Sequence, residues 1–455
     1  MPLPSRDRVV RTVRVGALIL LVGCRTVHVS PTAGDAFAVV ATADRLSAQP
    51  LWPGFDARTV PVAVYDGQRT VLFRHPAPPP GFVPVPADAR AVARPGRLEG
   101  VTANSSVVIG GVPTATLMPA NGASLESRAG ILVHEAFHVF QRARHPAWSA
   151  NEAALFTYPV TDASSLAARR LESEALRRAL AASDRTRAGC WARTAMALRR
   201  ERFARVGDDA AQYERGTEWN EGLATYVEQR AVGLADSLVV PAAEFAADAV
   251  RQRAYATGSA IGRLLYRLSP TWRESLEHRD TVALDALLTD AVATHDGASC
   301  VVAADERDRI ARAAIADVRL LEARRATART SFLAQPGWRV EVIAPDAPLF
   351  PQGFDPLNVQ VVASSTVLHT RWLKLGNDAG TIEVLGRAAL TEGAGAHPMF
   401  NGVRTLTVTG LAQEPVITTG DDATTVRGDG VTLTLTGWLA ERSGRVITLR
   451  PRATR

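Results

Sequence analysis

Residues 131–141, ILVHEAFHVFQ, decide how the rest of the chain is interpreted. His134 and His138 are four residues apart, so in a helix both imidazoles project from one face, one turn apart. Glu135 lies one step round the helix from His134 and can reach a water held on that face. The pattern H-E-x-x-H therefore predicts two nitrogen ligands for zinc and a carboxylate general base.

Apolar residues surround this polar trio on nearly all sides, which is typical of a buried helix. Three buried ionisable groups are costly without partners, and a metal ion would supply them. We expect the helix to begin near Ser124 and to end before Pro146, with Gly130 leaving room one turn before the first histidine. A five-residue pattern also arises by chance, so the alternative is a core helix whose histidines bond to the backbone.

A catalytic zinc takes three protein ligands and a water, so a third ligand must come from elsewhere in the chain. Residues 219–228, WNEGLATYVE, resemble the N-E-G-x-x-x-Y-x-E helix of gluzincin metallopeptidases, the clan of thermolysin and aminopeptidase N. The resemblance implies that Glu221 is the third zinc ligand. Helical spacing puts Glu228 on the same stripe, where it can orient a ligating histidine. Glu214 and Glu218 are alternative ligands, and a solvated surface helix is the other interpretation.

A third motif follows at residues 254–265, AYATGSAIGRLL. It is similar to the Y-x-x-G segment, followed by an apolar helix, that carries the transition-state tyrosine in aminopeptidase N relatives. The resemblance implies that Tyr255 donates a hydrogen bond to the oxyanion as charge builds on the substrate carbonyl. Tyr213 and Tyr226 are rival donors, and a tyrosine that only packs at a helix start is the alternative.

The three motifs occur in the order of the family, with two departures. The gap between His138 and Glu221 is much longer than in aminopeptidase N, so an insertion such as the helix predicted at 164–180 must fold away from the site. No G-x-M-E-N sequence precedes the metal helix. That motif recognises a free substrate amino-terminus, so the resemblance does not imply aminopeptidase specificity.

Residues 1–23 have the architecture of an export signal. Four arginines precede an apolar run that is too short to span a bilayer, and the sequence LVGC ending at Cys24 resembles the lipobox of bacterial lipoproteins. The resemblance implies a lipid on the Cys24 thiol and an exported protein anchored to a membrane face. A simple secretory signal or an uncut anchor is the alternative. In such a compartment Cys190 and Cys300 can form a disulfide, or they can be two separate buried thiols.

Composition and element signals predict a globular α+β protein. The 455 residues carry a net charge of +6, but arginines alternate with acids along helices, so nucleic-acid binding is not expected. The signals divide the chain into four parts. These are the lipoprotein signal at 1–23, a tether and β-rich N-terminal region at 24–123, a mainly helical zincin-like metallopeptidase core at 124–336, and a C-terminal β-sandwich-like domain at 337–455.

Local patterns place the elements within these parts. Two hairpins are expected, at 60–73 across Asp66-Gly67 and at 106–118 across Gly110-Gly111, and the strand 114–118 is the candidate to line a substrate cleft. Apolar spacing predicts helices at 164–180, 190–205, 217–234, 241–253, 258–268 and 303–333. Alternating runs predict strands at 339–343, 359–364, 366–372, 381–385, 403–408 and 431–437. The lone histidines His369 and His397 are expected to be structural.

These observations predict a lipid-anchored zinc metallopeptidase of the gluzincin type. His134, His138 and Glu221 would hold the zinc, Glu135 would activate its water, and the substrate would be a peptide or protein. The alternative is a non-catalytic lipoprotein that binds a peptide or glycan on a zincin-like scaffold. A third interpretation keeps the zinc chemistry but changes the bond that is cut, for example to an ester or a cell-wall amide.

Overall fold

The computed structural model describes residues 33–452, except 87, 121, 244, 295–296, 356–357, 364, 394–396 and 421. The predicted export signal and Cys24 lie outside the described residues. No helix in the described part of the chain is both long and apolar enough to cross a membrane. The fold is α+β, as predicted, with a β region near the N-terminus, a helical middle and two sheets at the C-terminal end.

The N-terminal region begins with helix α1 (Ala33–Leu46), where the sequence had predicted a tether and extended segments. Ala36, Val39, Val40 and Ala43 are buried at helical spacing, so burial of one helix face outweighs the strand preference of the two valines. Six strands follow and form one sheet in the order β3-β4-β2-β1-β6-β5. They are β1 (Val62–Tyr65), β2 (Arg69–Phe73), β3 (Val83–Val85), β4 (Asp88–Pro95), β5 (Ser105–Ile109) and β6 (Val112–Leu117).

Both predicted hairpins are present in this sheet. Strand β1 pairs with β2 in antiparallel register, and Gly67 in the turn has the positive φ of 99° that favours glycine. Strand β5 pairs with β6 and forms the edge of the sheet. Ser105 and Ser106 of β5 border the cleft that also contains the two histidines of the H-E-x-x-H pattern. The prediction that residues 114–118 would border this cleft was wrong, because they lie on the neighbouring strand β6 or just after it.

The middle of the described chain is helical, as predicted. Its helices are α2 (Leu125–Arg144), α3 (Ala154–Thr157), α4 (Ala163–Ala181), α5 (Arg185–Val206), α6 (Asp208–Thr217), α7 (Leu223–Ala231), α8 (Val250–Leu268), α9 (Trp272–His278), α10 (Leu284–Ala293) and α11 (Ala304–Leu333). Helix α4 packs against α5, α8 and α11 rather than against helix α2, which carries the H-E-x-x-H pattern. A disulfide joins Cys190 on α5 to Cys300 in the loop before α11.

Three of the helix predictions were wrong in their limits. The helix expected at 217–234 is interrupted by a π-helical turn, Glu218–Gly222, which separates α6 from α7. The helices expected at 241–253 and 258–268 are one helix, α8, which begins only at Val250. Gly258 lies inside α8 because its backbone touches the π turn, a contact between elements that local helix signals do not reveal.

The C-terminal part is a sandwich of two sheets that share one apolar core. Its elements are β7 (Trp338–Ile343), β8 (Phe350–Phe354), β9 (Val359–Ala363), β10 (Thr366–His369), β11 (Trp372–Asn377), β12 (Gly380–Leu385), β13 (Ala389–Gly393), α12 (Pro398–Asn401), β14 (Val403–Leu411), β15 (Val416–Thr419), β16 (Ala423–Gly428), β17 (Val431–Thr436), β18 (Trp438–Ser443) and β19 (Val446–Pro451). The strand orders are β18-β19-β7-β14-β13-β10-β9 and β15-β16-β17-β12-β11-β8. Phe156 of α3 is part of this core and ties the sandwich to the helical region.

Candidate metal centre

Helix α2 presents the two histidines of the H-E-x-x-H pattern on one buried face. Its first turn is capped by Ser124, whose side chain accepts a hydrogen bond from the backbone of Ser127. His134 and His138 are each 7% exposed and Glu135 is 8% exposed. Burial of three ionisable side chains on one helix is costly unless partners compensate their charges.

The π turn brings Glu221 to these histidines. A π turn adds a residue to a helix and re-aims the side chains around it, and such turns often occur at functional sites. The turn can approach α8 closely because Gly222 and Gly258 face each other, with the Cβ position of Gly222 only 2.7 Å from the Cα of Gly258. Gly130 on α2 gives α7 the same close approach, because a Cβ there would lie 2.7 Å from Val232.

Three ligand atoms converge at the meeting point of α2 and the π turn. Nε2 of His134 and Nε2 of His138 are 3.1 Å apart, and Oε2 of Glu221 lies 3.4 and 3.3 Å from them. Two ligand atoms at a tetrahedral zinc with bonds of about 2.0–2.1 Å lie about 3.3 Å apart. The triangle therefore has the size of one face of a tetrahedral zinc site.

The hydrogen bonds on the far side of each ring fix which nitrogen faces this triangle. Nδ1 of His134 is 3.0 Å from Oε2 of Glu228, and Nδ1 of His138 is 2.8 Å from Oε1 of Gln141. Both partners are acceptors, because the Gln141 amide nitrogen already donates to the backbone of Trp219 and Asn220. Each Nδ1 therefore carries the proton, and in the neutral rings both Nε2 lone pairs point at the carboxylate oxygen.

Lone pairs that converge in this way repel each other unless a cation lies between them. A proton is one such cation. Burial by itself lowers the pKa of His134, but hydrogen bonds to Glu221 and Glu228 outweigh burial and raise the pKa to about 10. A metal ion is the other cation that could lie between these lone pairs, and the buried group His134, His138 and Glu221 can hold one. The donor set of two imidazoles and one carboxylate suits zinc and similar divalent ions.

Glu135 and Tyr255 lie at the same site and line one cleft with the three ligand residues, of about 510 Å³. Burial is the main cause that raises the pKa of Glu135. The Tyr255 ring stacks near His134, with centroids 6.3 Å apart. Burial, followed by the charge of Glu221, raises the pKa of Tyr255, so its phenol stays protonated and able to donate.

Other residues named by the sequence lie elsewhere. Glu214 and Glu218 bind arginines in a buried network below the site, and Glu218 receives two hydrogen bonds from Arg199. Tyr226 is buried beside Trp52 and Trp272, and Tyr213 donates to Glu152. None of these four side chains lines the cleft that contains His134, His138 and Glu221. His369 and His397 are both buried in the C-terminal sandwich.

Sequence reasoning missed two side chains that form hydrogen bonds to the candidate ligands. Gln141 follows His138 by three residues, and that spacing on one helix face was the available signal. Arg251 donates from Nη2 to Oε1 of Glu221 at 2.8 Å and from Nη1 to Glu152. No motif marks Arg251, because it approaches from α8 and depends on the packing of α8 against the π turn. These contacts leave Oε2 of Glu221 free to face the histidines.

Fold and site together define an α+β protein with a buried His-His-Glu group, able to hold a metal ion, at the base of an open cleft. Comparison of the chain with protein-family models, curated proteins and solved structures found no match in any of the three.

Proposed function

We propose that the chain is a zinc-dependent hydrolase of the gluzincin metallopeptidase type that cuts peptide bonds. The observation that supports this most is the arrangement of two histidine lone pairs and one carboxylate oxygen at the spacing of a tetrahedral zinc, with Glu135 beside them in an open cleft. His134, His138 and Glu221 would hold the zinc. A bound zinc supplies Lewis acidity, which polarises a carbonyl and makes hydroxide available near neutral pH.

The residues around the ligands would divide the remaining work. The Glu135 carboxylate would accept the proton from the attacking water and then deliver it to the leaving amine nitrogen. The Tyr255 phenol would donate a hydrogen bond to the substrate oxygen as negative charge develops. Glu228 and Gln141 hold the imidazoles in one tautomer, and Arg251 holds the second oxygen of Glu221.

The test combines metal content with hydrolysis. Purified protein should contain about one zinc per chain and should cleave some members of a mixed peptide library in a chelator-sensitive reaction. Glu135→Gln should keep the zinc but lose roughly 10²- to 10⁴-fold in turnover. Glu126→Gln removes an exposed acid in the first turn of the same helix and should keep full activity. Full activity in Glu135→Gln would exclude this mechanism, and bound zinc without cleavage would favour the binding-protein alternative.

We also propose that the protein is exported and anchored by a lipid on Cys24. The support is the lipobox-like sequence, together with the Cys190–Cys300 disulfide, since disulfides persist mainly in oxidising compartments. Metabolic labelling with a fatty acid should mark the wild-type protein and should not mark Cys24→Ser. Equal labelling of both proteins would contradict the anchor.

A further inference from the structure

A buried network of ion pairs touches the π turn through Glu218, the first residue of the turn. Arg199 of α5 donates from Nη1 and Nη2 to the two carboxylate oxygens of Glu218, at 2.7 and 2.6 Å. The hydroxyl of Thr257 on α8 donates to the same carboxylate at 2.6 Å. Three hydrogen bonds from two helices therefore hold one side chain of the turn in place.

The network beyond Glu218 consists of buried arginines and glutamates in equal number, so that their charges compensate each other. Its members are Glu172, Arg199, Arg202, Glu214, Glu218 and Arg253. None of the six is more than 3% exposed, and none lines the cleft. The network links the π turn to α4, α5, α6 and α8.

Stability alone is a weak reason for such a network. Buried ion pairs are costly to desolvate, and apolar side chains of similar volume can often replace them without loss of stability. Ion pairs differ from apolar contacts in direction, because a carboxylate meets the planar fork of an arginine in a fixed geometry. A network of this kind can therefore fix the register of a backbone segment in which two registers would otherwise compete.

The π turn is a segment whose register matters for the candidate site. Side chains three residues apart in an α-helix lie only about 60° apart around the axis, so Glu218 and Glu221 would point in nearly the same direction. The wider π turn separates them further. Glu218 meets Arg199 and Thr257, whereas Oε2 of Glu221 lies 3.4 and 3.3 Å from the two imidazole nitrogens.

We propose that Arg199 and Glu218 are positioning residues for the candidate metal ligand Glu221. Their ion pair fixes the register of the π turn, and this register aims the Glu221 carboxylate at the two imidazoles. The proposal rests on the proposed function in one respect, that Glu221 binds a metal ion. Loss of the pair lets the turn relax toward an ordinary helix, in which Glu221 no longer faces both rings.

The first test compares two arginines of the same helix and the same network. Arg199→Met removes the partner of Glu218 and should weaken zinc binding by roughly 10- to 100-fold in competition against a fluorescent chelator. Arg202→Met is the control, because Arg202 is equally buried and pairs with Glu172 and Glu214 instead. It should lower the urea midpoint of unfolding but keep the zinc affinity of the wild type.

A milder pair of variants guards against failure to fold. Thr257→Val removes one hydrogen bond to Glu218 with little change of shape, and it should weaken zinc binding by a smaller factor than Arg199→Met. Thr194→Val is the control, because this buried hydroxyl of α5 donates to the backbone oxygen of Cys300. It should leave the zinc affinity unchanged.

The second test replaces zinc with Co²⁺, whose visible absorption depends on the number and geometry of its ligands. Glu221→Ala removes a ligand and gives the reference spectrum of a disturbed site. The bands of Arg199→Met and Thr257→Val should shift from the wild-type spectrum toward this reference, and Arg202→Met should keep the wild-type bands. A residue that only stabilises the fold leaves the spectrum of the folded protein unchanged.

Wild-type zinc affinity and cobalt bands in every folded variant of Arg199 and Thr257 would overturn the positioning role. Equal losses of zinc affinity in Arg202→Met would overturn it as well. Altered metal binding in a protein that hydrolyses no peptide would leave the role standing and would contradict only the peptidase function. A wild-type protein that binds neither zinc nor Co²⁺ would overturn both proposals.

Discussion

Gln141 connects helix α2 to the π turn through two hydrogen bonds and forms a third with a histidine of its own helix. It accepts from His138 and donates to the backbone oxygens of Trp219 and Asn220. Gln141→Ala should therefore weaken zinc binding by roughly 10- to 100-fold, because the His138 ring loses the acceptor that fixes its tautomer. Competition against a fluorescent chelator measures the affinity directly, without reference to any substrate.

The control for this variant is Gln212→Ala, at an exposed glutamine on α6. It should leave the zinc affinity and the thermal midpoint unchanged. If Gln141→Ala bound zinc as tightly as the wild type, the hydrogen bond to His138 would have no part in ordering the site.

At the scale of single residues, motif spacing was sufficient to find the side chains of the candidate metal site. His134, Glu135 and His138 share one helix, and Glu221 was found through a second short pattern. Arg251 could not be predicted, because the sequence around it carries no motif and its role depends on where α8 crosses the π turn. A supporting residue of this kind becomes visible only when the packing of elements is known.

Among the elements, the π turn and α8 depend on two glycines in backbone contact. A Cβ at Gly222 would lie 2.7 Å from Gly258, and the atoms it meets are backbone atoms that have little freedom to move. Gly222→Ala should therefore lower the free energy of unfolding by about 1–3 kcal/mol and should weaken zinc binding, because Glu221 moves with the turn. Urea unfolding and chelator competition on the same protein measure the two effects.

Gly189→Ala is the matched control, since Gly189 lies within helix α5 and a Cβ there meets only Arg193, at 3.9 Å. This variant should be neutral or more stable by up to about 1 kcal/mol, because alanine favours the helix more than glycine does. Equal destabilisation by the two substitutions would show that the close backbone approach is not what makes Gly222 sensitive.

The helices and strands also show where local sequence signals are sufficient to predict an element. Hairpins with glycine turns and long helices such as α4 and α11 were predicted within a few residues, because turn chemistry and apolar periodicity are local. The π turn was not predicted, because it is stabilised by packing against α8 and by hydrogen bonds from Gln141 of α2, neither of which is local in sequence. Helix α1 was missed because adjacent valines resemble a strand until the face they bury is known.

At the scale of the whole molecule, the disulfide closes a long loop through the helical region. Cys190 and Cys300 are 110 residues apart in sequence, so the bond restricts the unfolded chain strongly. Reduction should lower the free energy of unfolding by about 2–5 kcal/mol. Urea unfolding with and without a reductant measures this, and the Cys190→Ser, Cys300→Ser double variant should match the reduced protein. Identical curves for the oxidised and reduced forms would show that the loop is already constrained by packing.

The stability of the sandwich depends on pH because one of its histidines is buried in the neutral form. His369 has no exposed surface, and burial lowers its pKa to about 3, with a smaller effect from His397. An unfolded histidine has a pKa of about 6.5. Above that pH neither state of His369 binds a proton, and below it only the unfolded chain does. The contribution of His369 to the free energy of unfolding is therefore complete above pH 6.5. It falls by about 1.4 kcal/mol per pH unit as the pH drops, until about pH 3.

His369→Gln removes this titration, so it should reduce the dependence of the unfolding free energy on pH between 6.5 and 4.5 by about 1.4 kcal/mol per unit. Unfolding of the sandwich, followed by tryptophan fluorescence at several pH values, gives the slope for each protein. His278→Gln, at an exposed histidine, is the control. The same slope in wild type and His369→Gln would mean that the imidazole is protonated within the fold.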